Sequence, residues 1–151
     1  MKKTAAYTMV ELMIVVAIIA DIAIIAMPSY ARARRLAQNS RFTSDLRVAA
    51  AGFEMYAAEN NRYPVETGPG VVPAGMQTYL RGISFESINS IGGRWDWDND
   101  QGYARAAICV DLPTDADQIQ MAEIDTKIDN GIMATGVFRE RSARRYAYII
   151  E

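Results

Sequence analysis

The sequence contains no histidine and one cysteine, Cys109, in 151 residues. The first absence excludes imidazole general-base catalysis and His-ligated metal sites. The second excludes an intrachain disulfide and a thiolate cluster, and Cys109 reads as a small buried residue in a strand. A surplus of charge is missing too. Lysine and arginine number 16 against 18 acidic residues, a formal charge of −2. A general nucleic-acid binder carries a strongly basic balance, so no nucleic-acid partner is expected. There is no activated-nucleophile motif and no phosphate-binding loop, so no enzyme is expected either.

What the chain does have is a lopsided distribution of its apolar half. From Tyr7 to Met27 every residue is apolar except Thr8, Glu11 and Asp21. As a helix rising about 1.5 Å per residue, that stretch is long enough to cross a hydrocarbon core of about 30 Å. Roughly 120 residues then remain for one small folded core. A secretory signal peptide would place a small-x-small cleavage pattern after the apolar run. Here the run ends in Met27-Pro28-Ser29, and the short basic leader, Met1 to Ala6, precedes it. Removal of that leader would leave the helix on the mature protein. Charge does not orient the helix: Lys2 and Lys3 balance Arg32, Arg34 and Arg35 across it.

A basic leader, a small residue, an aromatic, then "YTMVELMIVVAII" and "MPSY" together resemble the N-terminus of type IV pilins and of type II secretion pseudopilins. The resemblance implies cleavage between Ala6 and Tyr7 by a prepilin peptidase, with N-methylation of the new Tyr7 amine. It assigns Glu11 to the glutamate used in assembly and Pro28 to the helix-weakening proline. It also implies an inner-membrane assembly platform and the chain itself, as a helical homo- or hetero-polymer, as partners. Two positions depart from the pattern: Ala6 stands where glycine is usual, and Asp21 where an apolar residue is usual.

Elementary electrostatics agrees with the role given to Glu11. An ionised carboxylate in lipid costs several kcal/mol on most estimates unless it finds a partner (roughly 2.5–3.5 for Asp at a helix centre). Cleavage before Tyr7 would create an ammonium within one helical turn of Glu11, available to a neighbouring subunit. Asp21 lies about 15 Å further along and about 80° around the helix. It is either a second contact between subunits or a neutral acid tolerated in a helix bundle; the second reading is preferred here, because the resemblance supplies no role for the position.

Beyond Pro28, Phe42, Leu46, Ala49, Phe53 and Tyr56 fall on one helix face. The segments are therefore read as leader 1–6, membrane helix 7–28, amphipathic helix 29–61, and a loop and antiparallel sheet region, 62–151, of the same domain. Residues 64–76 form a loop rich in Pro and Gly, and a short helical turn is expected before Gly82. "GGRWDWDNDQGYARAAICVDLP" reads as a hairpin with Trp95 and Trp97 on one face, Asp96 and Asp98 on the other, and a return strand from about Tyr103. Thr114 is expected to cap a helix over 115–129, with Asp117 completing a capping box and Gly131 stopping it. "IMATGVFRE" and "RRYAYIIE" read as a second hairpin. The fold expected is α+β and pilin-like, a long N-terminal helix packed on a small antiparallel sheet.

Asp96, Asp98 and Asp100 alternate as in a calcium loop, and some pseudopilins bind calcium in this domain. An EF-hand, however, needs glycine one place before Gly102 and a glutamate where Ala107 stands. A solvated acidic turn is preferred, with calcium as the alternative. Arg139, Arg141, Arg144 and Arg145 read as a solvated hairpin tip, and the tryptophan pair as core. The function expected is a structural subunit of a pilus or pseudopilus, with a type II secretion-like system preferred because the folded part is short and lacks a disulfide-closed loop. The subunit would sit in the inner membrane with its globular part in the periplasm before polymerising. The alternatives are an extracellular type IV pilin for adhesion, motility or DNA uptake, and a membrane-tethered module binding a ligand through Asp96, Asp98 and the tryptophans.

Overall fold

A computed structural model describes residues 7–151; the expected leader, including Ala6, lies outside the described residues. The elements are helix α1 (Met9–Asn60), strands β1 (Arg94–Asn99) and β2 (Ala106–Asp111), helix α2 (Gln118–Ile128), and strands β3 (Phe138–Ser142) and β4 (Arg145–Ile149). A single 3-10 turn, Met76–Thr78, interrupts the Pro/Gly-rich loop. The fold is α+β and pilin-like: the long helix packs on a four-stranded sheet of order β1-β2-β4-β3, antiparallel throughout. The chain divides into two compact units between Leu36 and Ala37.

In the first unit, α1 is helical from Met9 and runs on through Pro28. The proline ring removes the N–H that would reach the Ile24 carbonyl, so the helix is one hydrogen bond weaker there. None of the most apolar stretch is buried within the chain. Isoleucines 14, 18, 22 and 25 all lie open.

In the second unit the same helix has a sided character. Phe42, Leu46, Ala49 and Phe53 are buried, while Tyr56 is half-buried. The helix ends at Asn60, and Asn61 takes a left-handed φ of 52°, which a C-terminal cap residue adopts to close the last turn. The inner sheet face meets it with Trp95, Trp97, Ile108, Val110 and Tyr146. Two parallel ring stacks join helix to sheet, Phe42 on Trp95 with centroids 5.1 Å apart and Phe53 on Trp97 at 3.8 Å. Asn39, fully buried, pins α2 to α1: its side chain donates to Glu123 at 2.9 Å and accepts from Gln120 at 2.8 Å.

Three boundaries differ from those expected. Strand β2 starts at Ala106, not near Tyr103, because the Arg105 and Ala106 N–H groups both donate to the Glu151 carbonyl (2.7 and 3.0 Å). Tyr103 and Ala104 are thereby left to pack on the outer face of the sheet. The α2 cap is Asp117 itself, whose carboxylate accepts from the Ile119 and Gln120 N–H groups, so the helix starts later than a Thr114 cap would set. Strand β3 begins only at Phe138, since Gly131 and Gly136 at φ 80° and 85° turn the chain before it.

Candidate functional site

Two places in the chain gather polar groups where burial or lipid would make them expensive. The first is the start of α1. Thr8 stands just before the first helical residue and Glu11 three positions later. The Glu11 carboxylate accepts from both the N–H and the hydroxyl of Thr8, each at 2.8 Å, and the Glu11 N–H donates back to the Thr8 hydroxyl at 3.2 Å. This is a reciprocal capping box, which satisfies two N-terminal donors at once. The T-x-x-E spacing was present in "TMVE" and is the signal that sequence reasoning passed over. Tyr7, the expected new terminus, is exposed and immediately precedes the cap. Asp21 is exposed, and Pro28 lies within the helix.

The second place is the outer face of the sheet, described within its own unit. Pairing sets Asp96 opposite Cys109, Cys109 opposite Ala147, and Asp111 opposite Arg145. Ala107, Cys109 and Ala147 are small and fully buried, which leaves room above them for a long side chain. Arg145 fills that room. Its guanidinium donates to Asp96 at 2.6 Å, to Asp98 at 2.7 Å and to Asp111. Tyr103 donates its hydroxyl to Asp98, and the Cys109 thiol lies 3.2 Å from both. Arg141 stacks over the Tyr103 ring at 3.9 Å.

Burial shifts these groups in physically distinct ways. Burial raises Asp96 above its ordinary value, by more than Arg145 pulls it down. Burial acts on Asp98 in the same sense, but the donors Tyr103, Arg145 and Cys109 outweigh it and hold that acid low. Burial raises the Cys109 thiol and the Tyr103 phenol far out of the physiological range, so neither ionises.

Several expectations change with this geometry. Asp96 and Asp98 are not a solvated turn: both are buried on strand β1. The structure brings them together on one guanidinium with Asp111, and leaves Asp100 exposed in the following turn at φ 58°. Among the described residues no group of three or more acidic or cysteine side chains is arranged to hold a metal ion. Of the arginines expected at a hairpin tip, Arg145 is the centre of the buried cluster, Arg141 is stacked, and the Arg139 Nε donates to the Gly136 carbonyl at 2.5 Å. Arg144 stays exposed beside the turn. The tryptophans are buried in the core, on the face opposite the carboxylates, so they do not converge with Asp96 and Asp98 on a ligand. Cys109 is buried, as read from the sequence. A cleft of about 660 Å³ opens beside the cluster, lined by Glu66, Gln101, Tyr103 and Arg141 among others, but its buried carboxylates are already engaged.

No family model matches the chain, and no solved structure matches it. The chain is 29% identical over 90 residues to the type IV wide pilus major component PilA4 of Thermus thermophilus. That stretch covers 60% of this chain and 68% of the relative. The chain is similar to this pilus component, and its long apolar helix and small sheet are consistent with that likeness.

Proposed function

We propose that this chain is a structural subunit of a helical filament, held in the inner membrane by the first half of α1 and then polymerised through it. One observation carries the reading. No side chain from Tyr7 to Met27 is buried, yet from Met9 the stretch belongs to the same helix whose later half is built into a folded core. Such a surface needs lipid or other helices around it. A filament in which subunits bury that stretch against one another supplies the helices, and the likeness to a pilus component supports it.

In this reading a prepilin peptidase cuts between Ala6 and Tyr7 and methylates the new amine. An assembly platform in the inner membrane then adds the subunit to the growing end. Glu11 serves twice, first as the cap partner of Thr8 and then as the acceptor for the amine of a neighbour. The likeness to a type IV pilus component favours a type IV pilus. The short folded part, with its single buried Cys109 and no disulfide-closed loop, leans instead to a secretion pseudopilus. Filaments sheared from the cell surface mark the first, and filaments confined to the periplasm mark the second.

Mass spectrometry of the membrane-extracted chain tests the processing step. An N-methylated Tyr7 terminus is the expected result, and an intact Met1 terminus in a host with active peptidase would overturn it. Electron microscopy tests assembly. Glu11→Ala should leave the subunit folded and inserted yet block or misalign filaments, and normal filaments from that variant would contradict the role of Glu11.

A further inference from the structure

Glu11 and Asp21 differ in what their own helix offers them. Glu11 accepts two hydrogen bonds from Thr8. Asp21 is exposed, and the positions one turn away on either side are Ala17, Ile18, Ile24 and Ile25, none of which carries a side-chain donor. The next cations in the same unit are Arg32, Arg34 and Arg35. Arg32 and Arg34 lie about 17 and 20 Å further along the helix, beyond the reach of Asp21 within one molecule. A carboxylate in an apolar stretch pairs or faces a polar interior. A cation that meets Asp21 must therefore come from another molecule.

We propose that in the filament Asp21 forms an ion pair with Arg32 or Arg34 of a second copy of this chain, the two helices lying parallel and offset by about 17–20 Å. Charge complementarity selects the occupant. Between Tyr7 and Leu36 the acids are Glu11 and Asp21 and the side-chain cations are the three arginines; Glu11 has its cap and takes the Tyr7 amine of a neighbour, so Asp21 is the acid left to meet the arginines. Arg32 and Arg34 are both exposed. They stand about 20° and 220° around the helix from Asp21, so guanidinium groups face two opposite sides of each copy. The offset has a direction. A copy raised out of the membrane by this distance carries Asp21 from the apolar depth to the level of its neighbour's arginines, just past the end of the neighbour's apolar run at Met27. Asp21 thus becomes a contact that forms as the incoming subunit reaches its final offset.

The inference rests on the filament reading above, and its test separates the two. Filament yield is measured in cells making the full chain with its assembly apparatus, normalised to membrane-inserted subunit. Asp21→Leu, which inserts at least as readily, should lower the yield about tenfold or more, the scale for truncating one partner of a desolvated pair, while Asp21→Glu should hold it near wild type. The Arg32→Gln, Arg34→Gln double variant should lose a similar factor. Combining it with Asp21→Leu should cost little more, because partners lost together are not lost twice. Undiminished yield from Asp21→Leu, or losses that multiply in the combined variant, overturn the pairing while leaving the filament reading intact. Absence of filaments from the wild-type chain overturns both.

Discussion

Arg145 holds three carboxylates at once, two of them buried, and only about a quarter of its own side chain is exposed. Removing the cation while keeping the acids leaves unpaired buried charge, the expensive way to break such a cluster. Arg145→Met should therefore destabilise the folded part by about 3–5 kcal/mol in urea unfolding. The pH dependence follows from the directions of the two acid shifts. Asp98 is held below its usual value, so the stability it contributes is complete above the unfolded carboxylate value of about 3.9 and is lost as pH falls through the lower folded one. Asp96 is raised, so it binds its proton more tightly when folded, and acidification through its folded value adds stability. Stability should hold or rise slightly into mild acid and drop below about pH 4. Asp98→Asn should remove part of the late drop, and Asp96→Asn should flatten the earlier rise; a urea series across pH reads both. At the start of α1, Thr8→Ala should cost about 1 kcal/mol of helix stability, seen as faster amide exchange in the first turn.

At the scale of elements, the decisive contact is the approach of α1 to the 3-10 turn at Gly52. A Cβ built there would lie 2.8 Å from the Tyr79 carbonyl oxygen, a backbone atom with little freedom to move. Gly→Ala in a helix ordinarily gains about 1 kcal/mol. Here the clash should win, so Gly52→Ala lowers stability by about 1–3 kcal/mol in thermal melts. The helix face itself was legible in the sequence, because Phe42, Leu46, Ala49 and Phe53 recur at the helical period and nothing else in that stretch competes. The outward acids of β1 were legible as to face and not as to environment. Alternation puts Asp96 and Asp98 opposite the tryptophans, but it is silent about Arg145, 47 positions from Asp98, reaching across β2 to meet them. Their burial depends on strand order and on the small residues Ala107, Cys109 and Ala147, and neither is local information. The cap of α2 failed for a nearer reason, since Thr114 and Asp117 both fit the cap chemistry and only the chain path chooses. At the N-terminus the pattern was local and complete, and the "TMVE" box needed no tertiary context to be seen.

For the whole molecule, the division near Leu36 separates two kinds of stability. Residues 37–151 hold the ring stacks, the Asn39 contacts and the Arg145 cluster, and so contain a core of their own. No side chain of the apolar stretch from Tyr7 to Met27 is buried. Its helix cannot be sustained by internal packing, and in water its exposed isoleucines and valines would drive self-association. A chain beginning at Ser29 should therefore be soluble and monomeric, and should keep the cooperative urea transition of the folded part. The full chain should need detergent or lipid. Sedimentation of the two forms at matched concentration decides the matter, with the shortened chain expected as a single monomeric species. Aggregation of the shortened chain, or loss of its cooperative transition, would mean that the apolar half of α1 supports the fold as well as the assembly. Retention of both would assign that half to contacts between molecules, which is what a filament subunit requires.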